Sequence, residues 1–493
     1  MKTNLKLLSA GALVLAALEH VHAQYAPPPP PAPFPGFLNE SMRAKDPYAN
    51  QWDLGGDIRG RYEIKEHEAI AGQSGSADFR AHGANVDNQY LLTRIRFHAG
   101  YTEKWWSAYA EGQSSLAGGD HRAAYANVPA IAGTSKKVGY GPESDTIDLH
   151  QAYFTVGNHK EFPLSLKFGR QELSYGDERL IGAFGWNNIG RSFDSAKLRW
   201  QNAWFGADFF SAMPVVPRDG QFDLSNEHDV LSGVYATSTK IPNNTLDVYF
   251  LARNADRQAI NNFSDPQFPQ PTARDIYTVG GRVKSKPGTL GNWDYTVEGA
   301  YQFGNMATNA TSVRLKQDAY MFTAQAGYTF ADAWATPRLG AEFDYSSGDS
   351  NPNDGTHGTF DNLFPTNHKF YGSMDLISLQ NIEDAGISLT LKPTPRMSVA
   401  FMGNLLWLAN THDYFYNVTG APRTTGGYGI NSGNDSFLGS ELTAIAGYAI
   451  TRYAQVEVGY GHFFTGDYVR QSLASTGGDH DADWIYVQTS LKF

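Results

Sequence analysis

The chain reads as all-β: a transmembrane antiparallel β-barrel of about 18 strands, with short periplasmic turns and long extracellular loops. Three observations predict this. Many short segments set an apolar, aromatic-rich face against a polar face that carries several charges. The connections between those segments run alternately long and short. The composition then narrows the choice, with 493 residues, no cysteine, 50 glycines, 13% aromatic residues and a mean hydropathy of -0.42. Such hydropathy excludes a polytopic helical membrane protein, and an exported chain without disulfides must be held by packing or by a closed hydrogen-bonded sheet.

Taken in order, the first residues form an address. Lys2 and Lys6 precede the apolar run Leu7–Leu18, and Val21-His22-Ala23 offers small residues for cleavage before Gln24, so residues 1–23 are expected to be a signal peptide. The run is shorter than the roughly 18 to 20 residues of a spanning helix. Residues 24–50 are expected to be a proline-rich periplasmic segment, extended through its proline-dense part, and residues 51–493 the barrel.

The first strand, Trp52 to Ile64, sets Leu54, Ile58, Tyr62 and Ile64 against Asp57, Arg59, Arg61 and Glu63. Tyr90–Tyr101 follows, with Arg94, Arg96 and His98 on its polar side. Further strands are expected from Trp105, then at Ile147–Val156, Leu164–Gln171, Phe193–Gln201, Ala203–Ser211, Asp229–Ser238, Leu246–Asn254 and Asp275–Lys284. The clearest pair comes next, around Trp293–Phe303 and Phe322–Phe330. Then follow Arg338–Ser347, Asp384–Lys392, Arg396–Leu408, Ser440–Ile450, Ala454–Phe464 and Trp484–Phe493. Long stretches such as 172–192, 348–383 and 410–439 alternate with tight turns such as Lys392-Pro393-Thr394-Pro395. A barrel of this size is expected to enclose water rather than a side-chain core.

Several short motifs carry a family resemblance: Leu166–Gln171 (LKFGRQ), Trp186-Asn187-Asn188, Phe193-Asp194-Ser195, Gly340–Asp349 (GAEFDYSSGD), Leu376–Ile382 (LISLQNI) and Gly461–Asp467, together with the final aromatic residue. In combination they resemble the alginate export family of outer-membrane proteins over nearly the whole mature chain. The resemblance implies a barrel of about 18 strands, in a family whose members include exporters of the polyuronate alginate through a basic lumen. Two lumen positions that are arginine in such exporters are Glu457 and Gly459 here, and the turn Thr451-Arg452-Tyr453 stands in place of a longer periplasmic loop.

If the apolar faces meet lipid, the inward residues of early strands are basic: Arg59, Arg61, Arg94, Arg96, Lys167 and Arg199. Arg282 is a further inward candidate. Later strands lean acidic, with Asp294, Glu298, Glu342, Asp344, Glu441 and Glu457. These residues are the expected pore lining, a positive wall facing a negative one, which favours anionic hydrophilic solutes along the basic side. Cross-strand pairing that only holds the wall accounts equally well for any single arginine. Arg170, in phase with Phe168, is expected at the outer end of its strand or in a loop.

The expected function is therefore an outer-membrane export channel or pore for an anionic solute, such as an alginate-like acidic polysaccharide, or alternatively a general or small-anion diffusion porin. An outer-membrane enzyme is the weaker reading, because no G-x-S-x-G or H-E-x-x-H signature is present. The segment before Trp52 is too short to plug a barrel. The expected partners are outer-membrane lipid, the barrel assembly machinery through the C-terminal strand ending in Phe493, and an anionic polysaccharide or small anions; the net charge of -11 argues against nucleic acid. No cofactor is expected. The stretch Asp349–Gly355 is read as a solvated turn rather than a cation loop, while Asp479-His480-Asp481 and Asp483 fit either a cation contact or a solvated turn.

Overall fold

The computed structural model describes residues 36–493 apart from 69–78, 80–86, 121–142, 160, 257–272, 308–313, 425 and 476–478. The expected signal peptide and the proline-dense start of the segment after it lie outside the described residues. The strands are β1 (Trp52–Glu66), β2 (Asn88–Thr102), β3 (Trp106–Gly118), β4 (Asp145–Gly157), β5 (Leu164–Gln171), β6 (Phe193–Gln201) and β7 (Gly206–Val216). The short ribbon β8 (Leu224–Ser225) precedes β9 (Asp229–Ser238), β10 (Asn244–Ala255), β11 (Arg274–Ser285), β12 (Trp293–Met306), β13 (Leu315–Thr329) and β14 (Arg338–Ser346). A second ribbon, β15 (Thr356–His357), precedes β16 (Ile382–Thr394), β17 (Met397–Leu408), β18 (Phe437–Ala449), β19 (Ala454–Thr465) and β20 (Ala482–Lys492).

Without the two ribbons, these form a closed antiparallel barrel of 18 strands, as the alternation predicts. Each strand pairs with the next, and the first and last close the ring, with Asp57 opposite Lys492 and Glu66 opposite Asp483. Closure joins the first strand to the last, so neither end strand of the ring is left unpaired in lipid, where an unpaired N–H or C=O would have no partner. Ile58, Ile95, Phe168, Phe250, Phe322, Phe343, Leu442, Val458 and Ile485 are exposed, while their sequence neighbours turn into the barrel. Near the short turns, rings pack side by side in the aromatic belt of an outer-membrane barrel. Trp52 lies 4.9 Å from Tyr101, Tyr101 5.4 Å from Trp106, and Trp106 5.5 Å from Phe154.

Two boundaries differ from the sequence reading. Residues 203–205 belong to a turn, because Asn202 Oδ1 accepts from Trp204 N at 2.7 Å and Phe205 N at 2.9 Å. β13 begins at Leu315, well before Phe322, since its loop end carries Lys316 and Asp318 on the exposed side and so shows no apolar alternation.

Residues Gly36–Lys45 form helix α1, followed by a 3₁₀ turn, Pro47–Gln51, which Asp46 caps by accepting from Tyr48 N at 2.9 Å. α1 sits on the seam between β1 and β20. The Phe37 ring lies 6.0 Å from Phe493 and 5.7 Å from Tyr453, Glu40 pairs with Arg452, and Asn39 Oδ1 accepts from Leu54 N at 2.8 Å.

The interior departs from a water-filled tube. One contiguous apolar cluster joins wall residues such as Phe193, Leu231, Leu251, Phe463 and Trp484 to Leu180, Phe364, Phe370, Met374, Leu379 and Phe415 from three long loops. These loops are 172–192, 347–381 and 409–436, and they fold inward because their apolar side chains would otherwise stand in water. A short helix, α2 (Asp467–Leu473), adds Tyr468 and Val469 to the same cluster.

Candidate functional site: the lumen and its three infolded loops

The first infolded loop hangs from the basic wall by its carbonyls. Arg59 donates to Gly185 O at 2.9 Å and Asn187 O at 3.0 Å, and Arg61 donates to Trp186 O at 2.8 Å while lying 3.7 Å above the Trp186 ring. Arg94 donates to Gly185 O at 3.3 Å and to Asp57 at 3.2 Å; Arg96 donates to Ile189 O at 3.2 Å. From β3, Gln113 and Ser115 donate to Ile189 O and Asn188 O at 2.9 and 2.7 Å. A planar guanidinium can hold two carbonyls at once, which suits it to anchoring a loop that has no strand partner. Glu172, at the root of this loop, is half-buried, which alone would raise its pKa; the 2.8 Å contact with His150 and the Arg96 charge outweigh this and hold it at about 2.

The far side of this loop reaches the opposite wall with charges of its own. Asp177 pairs with Arg282 and with Lys284, both at 2.7 Å. Burial would push the Asp177 carboxyl up, but these two cations hold it well below the usual range. Arg179 lies 2.6 Å from Glu342 and 3.1 Å from Asp344, stacked 3.8 Å above the Phe370 ring. The first and second loops share a short backbone ladder, Gly182 N to Phe364 O and Phe364 N to Leu180 O, each 2.9 Å.

The second and third loops are tied in the same way. Arg253 pairs with Asp229 at 2.7 Å and with Asp361 at 3.5 Å, and Arg274 also pairs with Asp361. Glu441 Oε1 accepts from Ser373 N at 2.6 Å and Met374 N at 3.2 Å. Asp413 of the third loop accepts from Asp349 N at 3.0 Å and Thr359 Oγ1 at 2.5 Å. Between these loops and the wall lies a cavity of about 270 Å³, whose lining includes Arg191, Arg253, Arg274, Phe364, Tyr414 and Tyr416.

The remaining residues expected to line the lumen are placed as follows. Lys167 Nζ lies 3.4 Å from the centre of the Tyr153 ring, and Arg199 pairs with Asp208 at 2.8 Å. Arg282 also pairs with Asp247 at 2.5 Å. Glu298 accepts from Tyr249 Oη and Glu457 from Tyr486 Oη, both at 2.8 Å, while Asp294 pairs with Arg338 at 2.5 Å. The structure thus brings Arg59, Arg61, Arg94 and Arg96 together under one loop, and Glu342 with Asp344 around Arg179. Gly459 has a local reason: a Cβ there would fall into the Tyr486 ring, which covers it. Arg170 is the penultimate residue of β5, bonded to both Asp194 oxygens at 2.9 and 3.0 Å.

The acidic turns satisfy themselves. Asp349 accepts from Asn351 N at 3.0 Å and Asp354 from Thr356 N at 2.8 Å; Thr465 Oγ1 donates to Asp479 and Asp481. The groups that sequence reading missed are Asp177, Arg179, Arg253, Arg274 and Asp361.

A family model described as alginate export matches residues 53–483. No curated protein sequence matches the chain. Among solved structures, Acinetobacter baumannii OccAB2 is similar at a TM-score of 0.56 and 9% identity, over 90% of this chain and 98% of that one. Acinetobacter baumannii OccAB1 aligns at 0.55 with 12% identity, covering 90% and 97%. Pseudomonas aeruginosa OpdK with vanillate aligns at 0.53 with 10% identity, covering 90% and 99%. At these identities the likeness is one of fold, the outer-membrane barrel.

Proposed function

The chain belongs to the alginate export family, and from that premise we propose that it is an outer-membrane channel for an anionic hydrophilic solute. The observation that carries this is the set of cations on the inward faces of the early strands. Lys167 and Lys197 stand opposite each other on β5 and β6, partly exposed on the short-turn side of the loops, with Arg199 next to them. Further round the ring, Arg59 faces Arg94 across β1 and β2, with Arg61 and Arg96 nearby. Cations on a low-dielectric wall concentrate anions where they must pass.

Family membership supports an alginate-like acidic polysaccharide as cargo. The packing of the three loops supports smaller anions in the conformation described, because an apolar cluster of loop and wall residues stands in the lumen. The polymer reading therefore requires the loops to swing aside. In planar bilayers, reversing Lys167 and Lys197 to glutamate should move the zero-current potential toward cation selectivity, and an unchanged potential overturns the anion reading. Current block by polyuronate but not by a single uronate separates the polymer from the small solute.

A further inference from the structure

The barrel wall has a notch at its outer rim. β4 pairs with β5 only up to Ala152 opposite Arg170, so the outer part of β4, from Asp145 to Gln151, has no β5 partner. The loop between β7 and β9 lies along this free edge. Asp219 Oδ1 accepts from Thr146 N at 3.0 Å and Thr146 Oγ1 at 2.5 Å, and Asp223 N donates to Asp148 Oδ2 at 2.5 Å. On the other side β4 pairs with β3 through a bulge, with Asp148 opposite Gln113 and Asp145 opposite Ser115, so that Thr146 and Ile147 stand against Ser114 alone. Bulges of this kind re-aim side chains at sheet rims.

The notch therefore gathers acid. Carboxylate oxygens of Asp145, Asp148 and Asp223 all lie within 4.8 Å of one another. All three residues are buried, at 1%, 4% and 9% exposure, and Asp145 Oδ1 has no hydrogen-bond partner among the described residues. The cation beside them is Arg170, whose Nη1 is 3.6 Å from Asp148, but Arg170 already spends two N–H groups on Asp194. Ordinarily a buried carboxylate is paired with a cation or bound to a metal.

We infer that Asp145, Asp148 and Asp223 hold a hard divalent cation, of the calcium class, that staples the β7–β9 loop to the unpaired edge of β4. Three carboxylates from two chain segments are the oxygen-only donors such an ion takes. The ion cancels the repulsion among the acids and supplies the partner that Asp145 Oδ1 lacks.

The test uses the full-length protein, purified in detergent free of lipopolysaccharide and stripped with chelator. With Ca²⁺ at about 1 mM the wild type should melt higher, and trypsin should cut after Arg218 in the stapled loop roughly tenfold more slowly, than in EGTA. Both effects should vanish in D145N/D223N, and in D148N if the double variant misfolds. Removing charge should leave the variants as stable in EGTA as the wild type. Equal melting and cleavage in Ca²⁺ and EGTA for the wild type overturns the inference. So does a calcium effect that survives in the variants, because the ion then sits elsewhere.

Discussion

At the scale of single residues, the lumen is an exercise in pairing buried charge. Arg179 is the plainest case, since it reaches from a loop to both Glu342 and Asp344. Arg179→Ala would leave two buried carboxylates facing each other, a loss of about 3 to 5 kcal/mol for the closed arrangement. The expected readout is larger, noisier single-channel conductance with the barrel still folded. His357 offers a pH handle, because burial holds it at about 4, below its ordinary 6.5, and its Nδ1 lies 2.9 Å from Gln317. The unfolded loop binds this proton first. Its share of loop stability is therefore complete above about 6.5 and drains away toward pH 4, at roughly 1.4 kcal/mol per pH unit. Protease sensitivity of residues 347–381 should rise over that window in the wild type, and His357→Gln should flatten the rise.

At the scale of elements, the strands were legible and the loops were not. Alternation such as Trp293, Tyr295 and Val297 against Asp294, Thr296 and Glu298 fixes both the strand and its lipid-facing side, because the pleat has a period of two. The inward set Arg59, Arg61, Arg94 and Arg96 followed from the same rule. What covers that set did not, since loop direction depends on contacts between segments more than 100 residues apart, such as Arg59 with Gly185. A signal was present: a solvated loop has no use for the apolar run Met374, Leu376, Ile377 and Leu379. Replacing Leu376, Ile377 and Leu379 with serine should release the second loop and raise conductance, while heat-modifiable migration on gels shows the barrel intact. A lost barrel would mean the plug and wall fold as one unit.

At the scale of the whole molecule, the barrel supplies rigidity and the loops supply the barrier. Helix α1 adds a clasp at the one place where the ring closes, and Glu40→Ala should loosen it, detectable as faster exchange of the β1–β20 amides with little change in melting. The loop anchors also have a direction. All three infolded loops are hinged at the same rim, and they rest on wall side chains such as Arg59, Arg61, Glu342 and Glu441. A push from the periplasm lifts such a barrier off its seat, whereas an equal push from outside presses it home. The arrangement is mechanically that of a check valve, and current through it should differ when the voltage is reversed.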